Sequence, residues 1–504
     1  MQQIFDFLSV GEYSNALSIV EKFTPDELAE LLQSPQILDH TAFLRELNFE
    51  QVCSALVKFI VARNFSQLKP LLATLHASEI AKLFDEIEHI DIPLVFRILP
   101  KDLAAETFVE MDVDLKERLI SRLSDKELRA VMDELFLDDA VDMIEEMPAS
   151  VVKRVLAQSD NETRAYINEI LKYPKDSAGS IMTIEYVSLK ARMTVEEAFE
   201  RIRKTAIDKE TIYTCYVTDA TNKLIGLVTA KDLLLAKKTA SIEEIMNENV
   251  IYAHTDDDKE TTARRIYDYG FLALPIVDNE TRLVGIVTVD DAMDVLQEEN
   301  TEDISKMAAV TPTDKPYLKT GIWRICINRL PWLLLLLLSS TFSGLIISAN
   351  ENTLNMPIYG IVLTACMPML MGTGGNAGSQ ASAMIIRSLA IGEVKFSDFW
   401  KVVWKEIRVS VILGAILSVA CFIKVLLVDR VYAVAGGTTV AFVVSVSMLA
   451  TVVIAKLVGA MLPLLAKKCK LDPAVVASPF ITTMVDVLSL TIYCAFAVFL
   501  LGTV

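Results

Sequence analysis

The sequence predicts a multidomain α-helical membrane protein: a cytosolic helical solenoid, a pair of small α/β repeats, a connecting helix and a transmembrane domain of five helices. A sharp change in composition is the first observation behind this prediction. Residues 1–320 contain 59 acidic and 35 basic side chains, whereas residues 321–504 contain 7 and 13 and are otherwise mostly apolar. Two different internal repeats in the acidic half are the other observations. A single globular domain is therefore excluded.

Charge and cysteine usage exclude several classes of protein. The formal net charge of −18 disfavours nucleic acid as a partner, because phosphates are repelled, and favours cations. The seven cysteines include no Cys-x-x-Cys pair, and the four histidines have no metal-ligand spacing, so neither a zinc site nor a disulfide framework is expected. The first residues do not have the pattern of a signal peptide, and we expect the acidic half to lie in a reducing cytoplasm.

Residues 1–172 are predicted to form a helical N-terminal domain, because apolar residues recur at steps of three and four. Two series of apolar residues also recur every 24 residues. The series are Leu75, Leu99, Leu123 and Met147, and Phe84, Phe108, Met132 and Leu156. A fixed period of this length predicts short helix pairs stacked into a solenoid. A helical bundle with a coincidental spacing is the alternative.

A second repeat occupies residues 176–238 and 239–300. The segment 217–232 recurs as 276–291, and each copy reads as a short strand, a polar turn, an apolar strand with a central glycine, and a helix opened by an acid. The two matching copies resemble a tandem pair of CBS domains.

Pairs of CBS domains also bind adenine nucleotides. The Thr-x-x-Asp elements that end the two copies resemble the element whose acid contacts ribose in nucleotide-binding members. The resemblance implies that ATP binds through Asp232, Thr288 and Asp291.

A connecting helix is predicted over 301–322, and residues 323–504 contain five apolar stretches with the ~20 residues that cross a bilayer. The stretches are 326–349, 357–390, 403–428, 439–466 and 476–503. The basic residues beside them place the acidic half in the cytoplasm and the C-terminus outside. We therefore expect a multi-pass protein in the lipid of the plasma membrane, which is the inner membrane of a bacterium.

Asp486 lies near the middle of the fifth stretch, where an ionisable group is costly and marks an ion path by default. On a helix, Thr482, Asp486 and Ser489 share one face. A protonated aspartate that bonds to a neighbouring helix is the alternative interpretation.

The second stretch contains Gly372, Gly374, Gly375 and Gly378 within seven positions. We expect these glycines to interrupt the helix and to turn carbonyl oxygens toward an ion. Close helix packing through small residues is the alternative. Asn376 and Gln380, which are four residues apart, favour a pore. Oxygen ligands without Cys or His favour a hard cation such as Mg²⁺.

Three acidic clusters stand out in the cytosolic half. They are Asp291, Asp294, Glu298 and Glu302, widened by Glu299 and Asp303; Asp138, Asp142 and Glu145; and Asp256 to Asp258 with Glu260. Solvated helix faces are the ordinary explanation for each cluster. Three clusters near a connecting helix favour interfaces bridged by cations, because like charges repel until they are neutralised.

The order of domains and two motifs together resemble the MgtE family of magnesium channels over the whole chain. The motifs are Gly374-Gly375-Asn376-Ala377-Gly378-Ser379-Gln380, and Asp472-Pro473-Ala474 followed by Pro479 and Asp486. The resemblance implies a homodimer in which Asp486 holds hydrated Mg²⁺, with Asn376 and the backbone near Gly372 and Thr482. It also implies regulatory Mg²⁺ at a set of cytosolic acids. These are Asp138, Asp142, Asp291, Asp294, Glu299, Glu302 and Asp303, and the third cluster adds Asp258 and Glu260.

The sequence thus predicts a Mg²⁺-selective channel that imports magnesium and is closed by cytosolic Mg²⁺. An ion-coupled transporter of Mg²⁺, Co²⁺, Ni²⁺ or Mn²⁺ is one alternative, and a membrane-anchored sensor of Mg²⁺ or nucleotide is another. An enzyme is not expected, because the chain contains no catalytic triad, P-loop or zinc motif.

Overall fold

The structure is a computed structural model whose residues form two compact units, 1–296 and 297–504. The described residues are 2–10, 13–20, 22–32, 34, 37, 43, 47–86, 92–206, 209–313, 317–351, 360–433, 436–475 and 478–501. The predicted ends of the second and fifth apolar stretches, 357–359, 476–477 and 502–503, lie outside them.

The first unit begins with thirteen helices among the described residues. They are α1 (Gln2–Val10), α2 (Tyr13–Val20), α3 (Pro25–Leu32), α4 (Phe49–Val61), α5 (Phe65–Leu72), α6 (Ala77–Glu86), α7 (Ile92–Phe96), α8 (Lys101–Val109), α9 (Val113–Arg122), α10 (Asp125–Met132), α11 (Leu137–Glu146), α12 (Ala149–Gln158) and α13 (Asn161–Ile170). Helices α6, α8, α10 and α12 begin 24 residues apart, as do α9, α11 and α13. The predicted helical repeat is therefore confirmed.

The residue that begins the helix differs between repeats, since Pro100 and Pro148 are the N-caps of α8 and α12, whereas Ser124 is the N-cap of α10. Ser124 and Glu127 form a capping box at α10, in which the Ser124 amide donates to Glu127 Oε2 at 2.8 Å. The apolar residues of the series fill the interior, where Phe84 and Phe108 are buried.

The two α/β repeats each contain a three-stranded sheet. The first has β1 (Val187–Lys190), α14 (Val195–Thr205), β2 (Thr214–Thr218), β3 (Leu224–Thr229), α15 (Ala230–Leu235) and α16 (Ile242–Ile245). The second has β4 (Ala253–His254), α17 (Lys259–Tyr269), β5 (Ala273–Val277), β6 (Leu283–Thr288) and α18 (Val289–Met307). In each sheet the middle strand is parallel to the first and antiparallel to the third.

The central glycine of each repeat is required by close packing. A Cβ on Gly226 would lie 2.8 Å from Met246 Sδ, and one on Gly285 would lie 2.7 Å from the Thr183 carbonyl oxygen. The Thr183 and Ile286 backbones exchange two hydrogen bonds of 2.8 Å at this point. The repeated glycines therefore let an adjoining segment approach the third strand of each sheet.

The connecting helix predicted over 301–322 is wrong in its extent. Helix α18 continues from the second repeat and ends at Met307, and residues 308–313 and 317–321 are not helical. Ala309 has a φ of 53°, in the left-handed region that ends helices. Pro312 then disfavours a helical conformation at the residue before it, Thr311.

Among its described residues, the second unit contains five long helices, which correspond to the five predicted stretches. They are α19 (Ile322–Ala349), α20 (Gly360–Ala390), α21 (Phe399–Leu427), α22 (Gly437–Lys468) and α23 (Ser478–Leu501). Four helical segments among the described residues are long and apolar enough to cross a membrane, in the regions of α19, α21, α22 and α23. The 31-residue α20 is less apolar because it carries glycines, Asn376 and Gln380. It packs against α22 and α23.

Candidate functional site

The glycine segment of α20 is a continuous helix, so the predicted interruption is wrong. The glycines instead allow close helix packing, which was the alternative. A Cβ on Gly374 would lie 2.7 Å from Thr451 Cγ2, and one on Gly375 would lie 2.9 Å from Thr482 Cγ2. One on Gly378 would lie 3.1 Å from the Ala455 carbonyl oxygen. The small residues therefore seat α20 against both α22 and α23.

The other face of α20 is exposed. Gly372, Asn376 and Gln380, which follow one another at four-residue steps, are all exposed in the protomer. A Cβ on Gly372 would meet no atom within 4 Å. The helix thus has one packed face of small residues and one exposed face with two amide side chains.

Helix α23 brings two of its three predicted polar residues, Thr482 and Ser489, to the packed side of α20. Thr482 Oγ1 lies 3.4 Å from Ser379 Oγ, and Ser489 is buried beside Gly374. Asp486 lies one turn from Thr482 and is partly exposed. The structure thus brings Thr482 of α23 to the packed side of the glycine segment in α20. Gly372 and Asn376, in contrast, lie on the exposed face of α20.

Sequence reasoning missed two hydroxyl groups in this region. Ser379 faces Thr482, and the Oγ1 of Thr451 is buried without a hydrogen-bond partner among the described residues. Ser379 stands in the Gly374 to Gln380 motif but was given no role of its own, and nothing in the sequence distinguished Thr451 from the other hydroxyl residues of the membrane helices.

A second polar site lies in the first unit. One oxygen each from Asp138, Glu185 and Glu210 lie within 4.8 Å of one another. In the part of the chain that the structure describes, this is the one group of three or more acidic, His or Cys ligands close enough to hold a metal ion. We call these three residues the acidic cluster.

The acidic cluster joins the helical domain to the first α/β repeat. Asp138 lies in the first turn of α11, Glu185 precedes β1, and Glu210 precedes β2. The Leu137 amide donates to Glu185 Oε2 at 3.2 Å, and the Glu210 amide donates to the Glu185 carbonyl oxygen at 2.9 Å. These bonds fix the backbone around the carboxylates.

Burial and mutual repulsion raise the pKa values of this region. Burial, followed by the nearby Asp291, raises the pKa of Glu210 to about 8. The same two causes raise the pKa of Asp139 to about 6, and burial raises that of Asp291 to about 6. Burial, Asp291 and Glu210 also raise the pKa of Asp138. The carboxylates therefore lack enough positive charge nearby to offset their own.

Glu210 also has an unsatisfied hydrogen-bond acceptor, because its Oε2 is buried without a hydrogen-bond partner among the described residues. Such an atom costs free energy unless it binds a proton or a cation. Sequence reasoning missed Glu185 and Glu210, since neither has a second acid at a helical spacing of three or four residues.

The other predicted regulatory residues of the first unit lie near the acidic cluster or one turn away. Asp291 acts electrostatically on Asp138 and Glu210. Asp142 and Asp294 are exposed, one turn further along α11 and α18. Burial, Asp290 and Glu110 raise the pKa of Asp294.

The acids near the end of α18 have a protein cation beside them. Lys306 Nζ lies 2.8 Å from Glu302 Oε1 and 2.7 Å from Asp472 Oδ2. Burial would lower the pKa of Lys306, but the hydrogen bonds from Lys306 to Asp472 and Glu302 outweigh it and hold the pKa above its usual value. Glu299 and Asp303 lie half-buried on the same helix. Lys306 was not among the predicted site residues.

The predicted group of acids at residues 256–260 has local structural roles. Asp258 accepts from the Thr261 amide at 2.8 Å and caps α17, and Glu260 forms an ion pair with Arg264.

The two Thr-x-x-Asp elements lie at helix starts. Thr229 and Asp232 form a capping box at α15, and the Thr288 hydroxyl donates to Asp291 Oδ2 at 2.5 Å. Asp291 thus lies both in a Thr-x-x-Asp element and near the acidic cluster.

Three family models match the chain. The MgtE divalent cation transporter model matches residues 367–496, the MgtE intracellular N domain model matches 75–176, and the CBS domain model matches 178–238 and 242–298.

Curated relatives match most of the chain. It is 38% identical to the magnesium transporter MgtE of Thermus thermophilus over 441 residues, which cover 87% of this chain and 96% of the relative. It is 31% identical to the magnesium transporter MgtE of Bacillus subtilis, over 82% of this chain and 92% of the relative.

Solved structures match the cytosolic part. A crystal structure of the cytosolic domain of the Mg²⁺ channel MgtE in complex with ATP is 37% identical, with a TM-score of 0.46, and covers 48% of this chain and 99% of that one. The soluble part of a magnesium transporter is 31% identical, with a TM-score of 0.47, and covers 50% and 99%. On the extent of the sequence matches, the chain belongs to the MgtE family, whose members are membrane transporters and not enzymes.

Proposed function

We propose that this protein is a Mg²⁺-selective channel that imports magnesium and closes when cytosolic Mg²⁺ binds between its cytosolic domains. As a member of its family it is a multi-pass membrane protein with cytosolic N-terminal domains. The name of its relatives supports Mg²⁺ as the transported ion. The residues described above support the finer points of the proposal.

The exposed polar face of α20 is the observation that carries the channel proposal. Asn376 and Gln380 are exposed on a helix of the membrane unit, where lipid offers no hydrogen bonds. An amide pair one turn apart is tolerated there if it faces water or another subunit. A water-filled path along this face, shared by two subunits of a homodimer, meets that requirement.

Asp486 is the proposed pore carboxylate. It is partly exposed on α23, one turn from Thr482, which contacts the packed side of the same glycine segment. Mg²⁺ gives up its water reluctantly and uses few protein carboxylates. In the proposal a mostly hydrated ion binds near Asp486, and its water shell contacts Asn376 and the backbone at Gly372 and Thr482.

The acidic cluster is the proposed core of the regulatory site. Asp138, Glu185 and Glu210 come from the helical domain and the first CBS repeat, and Asp291 of the second repeat adds negative charge. A divalent ion there would remove the repulsion and satisfy the buried Glu210 oxygen. Without it the carboxylates repel, which favours separation of the domains. The affinity expected of such a hard-ion site without a rigid cage is about 10⁻⁴ to 10⁻³ M.

The proposal assigns supporting roles to the other predicted acids. Asp142 and Asp294 would hold outer ions one turn from the acidic cluster. Glu299, Glu302 and Asp303 would bind Mg²⁺ along the end of α18, where Lys306 already neutralises part of the charge. Asp258 and Glu260 would bind an ion only by giving up their local bonds.

A homodimer is part of the proposal. Leu234, Leu235 and Met293 of the CBS repeats are 73%, 77% and 63% exposed. Exposed apolar side chains of this size on a soluble unit are typical of a protein contact. A second copy of the CBS pair is the partner that the proposal requires.

ATP binding to the CBS pair is supported by the crystallised relative, whose complex contains ATP. In this chain Asp232, Thr288 and Asp291 are the residues that would contact the ribose. Calorimetry with ATP, with and without Mg²⁺, on the whole protein tests this part, and no heat at millimolar ATP would contradict it.

The experiment that tests the channel is Mg²⁺ flux into proteoliposomes without any Na⁺ or H⁺ gradient. Flux driven by the Mg²⁺ gradient alone is expected, and it should fall strongly in Asn376→Leu. Thr364→Val is the matched control, because the Thr364 hydroxyl bonds only to its own helix among the described residues. Flux that requires an imposed Na⁺ or H⁺ gradient would favour the coupled transporter.

A further inference from the structure

Lys456 and Glu406 are charged residues with buried atoms in helices of the membrane unit, and neither belongs to the sites above. Lys456 lies within α22 and is 7% exposed. Glu406 lies on α21, and its Oε2 is buried without a hydrogen-bond partner among the described residues. A buried charge inside a membrane protein is costly unless it is compensated. Each residue therefore requires an explanation.

The register between α21 and α22 is fixed by two contacts. Ser418 Oγ donates to the Ser445 carbonyl oxygen at 2.7 Å. A Cβ on Gly414 would lie 2.8 Å from Leu449 Cδ1. Ser418 thus lies beside Ser445, and Gly414, four residues earlier on α21, lies beside Leu449, four residues later on α22. The two helices are therefore antiparallel.

If the same register is extended to the other end of the pair, Val402 corresponds to the position next to Ala460, and Val402 and Ala460 belong to one buried cluster. Glu406 is one turn from Val402 in the direction of Gly414. Lys456 is one turn from Ala460 in the corresponding direction on α22. The two side chains are therefore on facing positions of adjacent helices.

We propose that Glu406 and Lys456 form an ion pair between α21 and α22 that positions the pore helix α20. Packed helices lie about 8–10 Å apart, a gap that a glutamate and the flexible four-carbon stem of a lysine bridge. The ion pair is not closed in the structure, and it forms by a change of side-chain rotamers.

The positioning role follows from the residues next to Lys456. The Ala455 carbonyl oxygen packs against Gly378, and a Cβ on Gly459 would overlap the Gly378 carbonyl oxygen. A rotation of α22 that carried Lys456 out of its interface would disturb this contact. Since Gly378 follows Asn376 on α20, the ion pair fixes the position of the proposed pore face.

Cysteine cross-linking tests the proximity. Glu406→Cys combined with Lys456→Cys removes both charges together, so the whole protein should fold and form an intramolecular disulfide under mild oxidation. Lys405→Cys with Lys456→Cys is the control, because Lys405 is exposed on α21, and it should not cross-link. Equal yields in the two variants, or no disulfide at positions 406 and 456, would overturn the proposal.

Mg²⁺ flux tests the positioning role, and this readout alone rests on the proposed function. Glu406→Lys and Lys456→Glu should each lower flux per inserted molecule by about tenfold, because each leaves like charges facing one another. The exchanged variant, with both substitutions, should recover flux to within about threefold of the wild type. If single variants fail to insert, the exchanged variant should restore insertion. An exchanged variant that is no better than the single variants would contradict the proposal.

Discussion

Glu210→Gln tests the regulatory site through the stability of the cytosolic unit. The substitution keeps the shape of the side chain and removes its charge. Burial and Asp291 raise the pKa of Glu210 from 4.5 to about 8. The folded state therefore binds more protons than the unfolded state between about pH 4.5 and pH 8, and stability falls as pH rises through this window.

The magnitude follows from that shift. A rise from 4.5 to about 8 corresponds to roughly 5 kcal/mol between the charged and neutral forms. Asp138, Asp139 and Asp291 also have raised pKa values and act electrostatically in this region, so protonation of any of them relieves part of the repulsion. We therefore expect Glu210→Gln to stabilise the Mg²⁺-free unit at pH 8 by about 1–3 kcal/mol. At pH 5 the gain should largely disappear.

Hydrogen exchange of the α11 backbone amides in the whole protein is the assay, in EDTA and in Mg²⁺, at matched pH. In EDTA at pH 8 the variant should exchange more slowly than the wild type, and added Mg²⁺ should protect it less. Glu243→Gln is the matched control, because Glu243 is exposed in the first CBS repeat. A variant with unchanged exchange in EDTA and full protection by Mg²⁺ would refute the assignment of Glu210 to the site.

Three further predictions concern other contacts. Gly459→Ala should lower the thermal stability of the membrane unit and the Mg²⁺ flux, because its Cβ would overlap the Gly378 carbonyl oxygen. Gly372→Ala is the control and should keep the wild-type stability, because Gly372 has open space around it. Equal melting temperatures of the two variants would contradict this prediction. Lys306→Gln should raise Mg²⁺ flux several-fold at low cytosolic Mg²⁺, since it removes the ion pair that joins the end of α18 to Asp472. Lys306→Arg keeps the charge and should behave as the wild type. Unchanged flux in Lys306→Gln would refute this prediction. Asp291→Asn with Asp294→Asn should weaken protection from proteolysis by Mg²⁺, measured as the rate of cleavage in the cytosolic half, and unchanged protection would argue against both residues.

Periodic features of the fold could be predicted from the sequence. The 24-residue spacing of Phe84 and Phe108 predicted helices that begin 24 residues apart, because a repeated pattern records a repeated packing environment. The two CBS copies predicted both sheets, since the same residues recur in the same order. The apolar stretches predicted the five long helices, because about 20 consecutive apolar residues cross a bilayer as a helix.

Features that depend on packing between distant segments could not be predicted. The glycines of α20 read as a helix break, but their helix is continuous because Thr451, Thr482 and Ala455 pack where side chains would stand. Glycine is unfavourable in an isolated helix, and only the neighbouring helices offset that preference.

The candidate regulatory site shows the same limit. Asp138 and Asp291 were predicted from acids spaced along helices. Glu185 and Glu210 were missed, because they are single acids near the starts of strands, and only the tertiary fold brings them within 4.8 Å of Asp138. Lys306 was missed for a related reason, since Asp472 lies 166 residues away in sequence.

Mg²⁺ flux into proteoliposomes, with the wild type beside Asp486→Asn and with Mg²⁺ varied on the cytosolic face, tests the central claim most directly. The account predicts that wild-type flux is suppressed by millimolar cytosolic Mg²⁺ and that flux is lost in the variant at every Mg²⁺ concentration. Flux that survives the substitution would move the ion site away from Asp486. Wild-type flux that cytosolic Mg²⁺ leaves unchanged would contradict the feedback.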